Sequence, residues 1–155
     1  MRYLGLDLGK KSLGISLSDK LGLIASFYKN IKSDDEEELI EEIIKIIDKE
    51  NVDEIVLGLP KNMNGSLGFR CDETIQFKEK LEQKTNKKVH LEDERLTTKV
   101  AQQVLIKADM SRKKRNKVID GVSAVVILQS FLDKGGKWYG RKQKWRIKRW
   151  YVYRF

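Results

Sequence analysis

Hydrophobic and polar positions alternate at the start of the chain, take up a helical period in the middle, and end with aromatic residues interleaved with positive charges. Tyr3, Leu4, Leu6 and Leu8 run up to a turn at Gly9-Lys10-Lys11-Ser12, and Leu13, Ile15 and Leu17 follow it, which predicts two short hairpin-paired strands. A third strand is expected from about Leu23 to Ile31, after a turn at Asp19-Lys20-Leu21-Gly22. Ser33 and Glu36 have capping-box spacing, and Leu39, Ile40, Ile43, Ile44, Ile46 and Ile47 give the helix behind them a wide apolar face. Residues 54–59 read as a buried strand stopped by Pro60, the only proline.

Pro60 to Gly68, with Asn62, Asn64, Gly65, Ser66 and Gly68, reads as a loop rich in backbone donors just beyond the carboxyl end of a strand, where open α/β sheets place ligands. A helix over about 69–84 and a strand over 88–93 come next. Val100, Ala101, Val104, Leu105 and Ala108 then predict a helix capped by Thr97 or Thr98. A basic loop, Ser111 to Arg115, leads to a last helix from Val118 to Leu132. The expected fold class is α/β: three antiparallel meander strands followed by parallel ones, in a mixed five-stranded sheet with helices on both faces.

Composition bounds the function. A chain of 155 residues is expected to hold one domain with a sizeable core. One cysteine, Cys71, permits no internal disulfide, and Met1 leads straight into a strand, so the expectation is a reduced, cytoplasmic protein. No apolar run approaches the roughly 18 residues of a membrane span, so no membrane partner is expected, and a single His with a single Cys excludes a structural zinc site. The net charge of +9 is carried almost entirely by residues 137–155, which hold eight Lys or Arg, no acid and all three tryptophans. Residues 1–136 carry 24 basic and 23 acidic groups. Such a tail can neutralise phosphates and stack on bases, can lie on a membrane surface, or can be an extension without a role. The expected division is therefore a domain over 1–134 and a basic aromatic tail over 135–155.

The chemistry rests on carboxylates. Asp7 interrupts an apolar strand, and burying an ionised carboxylate without a partner costs several kcal/mol. In the predicted topology Asp93-Glu94, at the end of the fifth strand, lie near it at one end of the sheet. Asp120, the one charge in the apolar segment from Val118 to Val126, can reach them from the last helix. Several carboxylate oxygens together suit Mg²⁺ or Mn²⁺, and two such ions about 3.5–4 Å apart activate a water for phosphodiester hydrolysis. Each acid also has a structural reading. Asp7 could cap the hairpin, Glu94 could pair with Arg95 or Lys99, and Asp120 could belong to a buried ion pair. His90 reads as a strand residue rather than a general base, and Cys71 as structural. The run Arg112 to Lys117, beside the acids, is placed to hold phosphates.

Four segments carry a resemblance. Residues 1–19, the string Val56-Leu57-Gly58-Leu59-Pro60-Lys61-Asn62-Met63-Asn64-Gly65-Ser66, the string Asp93-Glu94-Arg95-Leu96-Thr97-Thr98 and the segment Ile119-Asp120-Gly121-Val122-Ser123-Ala124 resemble, in order, the signature blocks of the YqgF/RuvX family. That family is a bacterial branch of the RNase H-like superfamily related to Holliday junction resolvases. The resemblance covers about residues 1–133 and implies an RNase H-like fold and metal-dependent phosphodiester cleavage, with Asp7, Glu94 and Asp120 at the acidic positions. It also implies maturation of the 5′ end of the small-subunit (16S) ribosomal RNA precursor. Ser12 stands where the family usually has Arg, and Gly121 and Ser123 replace small alanines.

The leading expectation is a nuclease acting on structured RNA with Mg²⁺ or Mn²⁺. Asp7, Glu94 and Asp120 are its metal ligands, and Lys10, Lys11, Asn62, Arg95, Arg112, Lys113, Lys114 and Arg115 its nucleic-acid contacts. Its partners are precursor ribosomal RNA or branched DNA, and the ribosome, with the protein a monomer or a homodimer. Two readings compete: a dimeric junction resolvase and a non-catalytic RNA- or ribosome-binding module. The Asp-Leu-Gly turn also resembles the phosphate-binding turn of actin-like ATPases, which need a second lobe.

Overall fold

Leu4 and Leu6 point to one side of the first strand while Tyr3, Gly5 and Asp7 point to the other, and this alternation assigns each residue to one of two cores. The computed structural model describes residues 1–60, 69–93 and 112–134. Its elements are β1 (Tyr3–Leu8), β2 (Ser12–Ser18), β3 (Ala25–Lys32), α1 (Glu36–Glu50), β4 (Glu54–Leu59), α2 (Phe69–Thr85), β5 (Val89–Asp93) and α3 (Arg112–Asp133). The sheet order is β3-β2-β1-β4-β5. The β1–β2 and β2–β3 pairs are antiparallel, and β1–β4 and β4–β5 are parallel, as the sequence predicts.

On one face Leu4, Leu6, Leu13, Ile15, Ile55 and Leu57 pack against Ile40, Ile43 and Ile47 of α1 and Phe77 and Leu81 of α2. On the other, Tyr3 and Val56 pack against Ile127, Leu128 and Leu132 of α3. The closest approach is at Gly5. A Cβ there would collide with the Ser16 hydroxyl and stand 2.7 Å from Leu128 Cβ and 3.2 Å from the Ala124 carbonyl. The Ser16 hydroxyl itself donates to that carbonyl at 2.8 Å, fastening α3 to β2.

Local signals explain most boundaries, and three expectations are corrected. Helix α1 is capped by Asp35, whose carboxylate accepts from the Glu37 amide at 3.0 Å, and not by Ser33. Ser33 sits outside the helix, accepting from the Asp35 amide and donating to Glu38, because the backbone is still extended at Asp35. Helices α1 and α2 are each followed by an asparagine at positive φ, Asn51 and Asn86, the left-handed conformation that closes a helix without glycine. The third strand runs from Ala25 to Lys32, displaced toward the C-terminus, because Asp19 extends the preceding turn by accepting from the Leu23 and Ile24 amides. The last helix begins at Arg112, so Arg112 to Arg115 are helical where a basic loop was expected. Arginine and lysine are good helix formers, and no glycine or proline separates them from the apolar segment behind. The helix predicted around Val100 to Ala108 lies outside the described residues.

Two predictions follow from this packing. Gly5→Ala should cost about 1–3 kcal/mol by overpacking, read as a lower urea midpoint, and unchanged stability would show that α3 can move away from β1. The Ile24 amide, opposed by burial and seconded by the Leu23 amide, holds the Asp19 carboxyl below its ordinary value of 3.8. A depressed pKa contributes stability that is present above the unfolded value and lost as pH falls through the folded one. Asp19→Asn should therefore lower stability at pH 7 and flatten its decline below about pH 4; an acid limb identical to that of the parent protein would overturn this.

Candidate active site

Asp7 is the penultimate residue of β1, the central strand, and pairs across the hairpin with Gly14. It is half-buried. Strand alternation puts it on the same face as Tyr3 and Gly5, the face that α3 covers. The turn beyond is closed by the Gly9 amide donating to the Ser12 carbonyl at 2.8 Å, which leaves Lys10 and Lys11 exposed at its tip. Two cations thus stand within four residues of the carboxylate.

The approach of α3 sets the position of Asp120. Phe131 meets Tyr3 edge-on at 5.4 Å, and Ala124 and Leu128 meet Gly5, so the helix runs antiparallel to β1. Moving from Gly5 to Asp7 advances about 7 Å along the strand, which is about four or five residues back along a helix. The backbone of Asp120 stands one turn before that of Ala124, about level with Asp7. Glu94 and Arg95 directly follow β5, and they lie outside the described residues, as does Asn62. Among the described residues no group of three His, Cys, Asp or Glu side chains is placed to hold a metal ion. The structure therefore brings Asp7 and the backbone of Asp120 to one end of one sheet face. The backbone of Arg112 to Arg115 lies farther along the same helix, toward its N-terminus.

Lys10 also borders a cleft of about 300 Å³ with Asp34, Glu36, Glu73, Thr74 and Gln76, on the side of α1 and α2. His90 is held by the buried Glu54 at 2.9 Å and stacks on Phe131 at 4.8 Å, so it serves the packing of β5 against α3. Cys71 is buried, with its thiol against the Pro60 carbonyl.

Sequence reasoning missed one cluster. Glu92 is buried, and its carboxylate accepts from the Ser130 hydroxyl at 3.1 Å and from the Lys134 ammonium. These bonds tie the strand that leads into Glu94 to the helix that carries Asp120. The only hint in the sequence is parity: Glu92, like His90, falls on the face of β5 opposite Val89 and Leu91. The Ser130 and Lys134 partners have no local signature.

Known proteins resemble this arrangement. A family model described as "RuvX: Holliday junction resolvase" matches residues 1–134. A protein of Geobacillus kaustophilus is 51% identical over 135 residues, covering 86% of this chain and 98% of its own length. One of Clostridium acetobutylicum is 46% identical over 133 residues, covering 86% and 98%. One of Clostridium kluyveri is 45% identical over 137 residues, covering 88% and 100%. All three carry the name "Putative pre-16S rRNA nuclease". Among solved structures, T. thermophilus RuvC in complex with a Holliday junction substrate superposes with TM-score 0.56 at 12% identity, covering 93% of this chain and 98% of that one. The Fowlpox virus resolvase with its Holliday junction DNA gives 0.55 at 17%, covering 86% and 98%. At these identities the likeness is one of fold, and it matches the mixed five-stranded sheet.

Lys134→Met should leave the Glu92 carboxylate with Ser130 alone and cost about 1–2 kcal/mol, the half-exposed lysine screening part of the loss. Combining it with Glu92→Leu should recover most of that cost, because an apolar pair leaves no unpaired charge. Additive losses in urea unfolding would show that the two side chains do not act together.

Proposed function

The chain belongs to the RuvX family, and on that premise we propose that it is a metal-dependent nuclease that hydrolyses phosphodiester bonds in structured RNA and processes the 5′ end of pre-16S rRNA in ribosome biogenesis. The observation that carries this reading is Asp7: a half-buried carboxylate near the carboxyl end of the central strand, on the face against which α3 brings Asp120. Asp7, Glu94 and Asp120 are the proposed ligand set. All are hard oxygen donors, which fits Mg²⁺ or Mn²⁺ and disfavours softer metals. When bound, the cation supplies Lewis-acid stabilisation of the charge that develops on the phosphate and lowers the pKa of water at the site.

The protein contributes position and charge. Asp7 is held on a strand hydrogen-bonded to neighbours on both sides, so its carboxylate needs little reorganisation. Lys10 and Lys11, on the turn beside it, offset the repulsion between a polyanion and the acidic site. Asn62, Arg95, Arg112, Lys113, Lys114 and Arg115 are the further proposed nucleic-acid contacts. The working unit is residues 1–134, with the tail from 135 onward a separate element. Its place of action is the cytoplasm, where precursor ribosomal RNA is found; no described helix is long and apolar enough to cross a membrane.

Resolution of a DNA junction is the second reading, favoured by the family description and by the two resolvases that share the fold. Symmetric cutting of two strands would need a dimer. One experiment separates the readings. The protein and its Asp7→Asn variant are incubated with a labelled precursor rRNA fragment or a four-way DNA junction, in Mg²⁺, Mn²⁺ or EDTA. The expected result is cleavage of the RNA that needs metal and falls about 100-fold or more in the variant, with the melting temperature nearly unchanged. Undiminished cutting by Asp7→Asn would sink the mechanism, metal-dependent cutting of the junction alone would select the resolvase, and binding without cutting would leave a non-catalytic module.

A further inference from the structure

Across the sheet, Asp7 of β1 stands opposite Gly14 of β2, and Gly14 stands opposite Asn30 of β3. Directly opposed residues share a face, so Asn30 lies in the row of Asp7, on the face that α3 covers. Two strand spacings separate the two Cα atoms by about 10 Å, and the residue between them is a glycine, with no side chain to fill the gap. A bulge produces this placement. Phe27 opposes Ser16 and Lys29 opposes Ile15, so β3 carries one extra residue, Tyr28, against a single step of β2. Simple alternation from Phe27 would put Lys29 on the α3 face and Asn30 on the other. With the extra residue, Lys29 reaches Glu42 of α1 at 3.8 Å and Ile31 packs against the core on that side, which leaves Asn30 on the side of Asp7.

The Oδ1 atom of Asn30 is buried, and among the described residues it is the only buried side-chain nitrogen or oxygen without a hydrogen-bond partner. A buried acceptor left unpaired costs free energy, and native proteins keep one where a water, an ion or a catalytic role meets it. The charged group in the same row is the Asp7 carboxylate, proposed above to hold a divalent cation. Mg²⁺ keeps several of its waters when a protein binds it, and those waters donate to acceptors beyond the direct ligands. A carboxamide oxygen suits that place, because it accepts a hydrogen bond without adding to the repulsion among the carboxylates. We propose that Asn30 is a positioning residue of the Asp7 site, its carboxamide oxygen accepting a hydrogen bond from the hydration shell of the divalent cation that Asp7 holds. This inference rests on the metal-dependent reading given above. The bulge in β3 is then a feature of the site, since the inserted Tyr28 turns Asn30 toward the row of Asp7.

The test uses the full-length protein and Mn²⁺ alone, with binding read by water-proton relaxation and the stability of the metal-free protein by thermal melting in EDTA. Asn30→Leu should weaken Mn²⁺ binding about tenfold. Its melting temperature in EDTA should stay the same or rise, because leucine removes an unpaired buried acceptor. Asn30→Asp, which keeps an acceptor oxygen at that position, should bind Mn²⁺ at least as tightly as the parent protein. Asp7→Asn should abolish the binding. Undiminished affinity in Asn30→Leu, beside lost binding in Asp7→Asn, would overturn the role of Asn30 and leave the cation reading intact. Loss of affinity in both Asn30 variants, or a fall in the melting temperature of Asn30→Leu alongside its weaker binding, would mark Asn30 as structural and overturn the proposal. Undiminished affinity in Asp7→Asn, or no Mn²⁺ binding by the parent protein, would remove the cation reading itself and this inference with it.

Discussion

The contact at Gly5 is the constraint on which the described structure turns. Helix α3 lies so close to the β1–β2 hairpin that the Ser16 hydroxyl reaches a helix carbonyl and no side chain fits at position 5. A larger residue would push the helix outward, and the effect would not stay local. Tyr3, Val56, Ile127, Leu128 and Leu132 form the small second core, which exists only while the helix is seated. The level of Asp120 relative to Asp7 follows from the same seating. One hydrogen atom in place of a methyl group therefore controls both the packing of this face and the height at which the helix backbone at Asp120 stands beside Asp7.

The two faces of the sheet divide the work. The side of α1 and α2 is apolar and deep, filled by the isoleucines and Leu39 of α1 and by Phe77 and Leu81 of α2. The side of α3 is thinner and includes several buried polar groups. Glu54, Glu92, Ser16 and Ser123 are all buried there, and Glu54 and Glu92 are charged groups that need partners. His90 and Lys134 supply them. Polar ties of this kind are directional where hydrophobic contacts are not, so they fix the register of α3 on the sheet as well as its presence.

Much of this was legible in the residues because the signals were local. The apolar run 54–59 stopped by Pro60 is β4 to the residue, and the isoleucine stripe of α1 is its buried face. Asp7 stood out because a lone carboxylate in an apolar strand conflicts with its surroundings. The misread boundaries were also local in origin. Ser33 matched a capping pattern, yet the backbone reaches helical angles only after Asp35. The run Arg112 to Arg115 was read by its charge as a loop, although its helix propensity pointed the other way. The partners of Glu92 had no local signature, since Ser130 and Lys134 lie 38 and 42 residues away and meet it only after folding. The association of Glu94 with Asp7 and Asp120 rests on the predicted topology and on the family resemblance, and Glu94 itself lies outside the described residues.

The order β3-β2-β1-β4-β5 places β1 in the middle, with an antiparallel neighbour on one side and a parallel neighbour on the other. A central strand is the last to expose its amides when a protein breathes, because both neighbours must separate first. Asp7 directly follows the stretch Tyr3 to Leu6 that is paired on both sides and is itself paired with Gly14, so its backbone is anchored by the part of the sheet that opens last. Any control over chemistry at this carboxylate must then act from the periphery, through what approaches Asp7 and not through the residue's own motion.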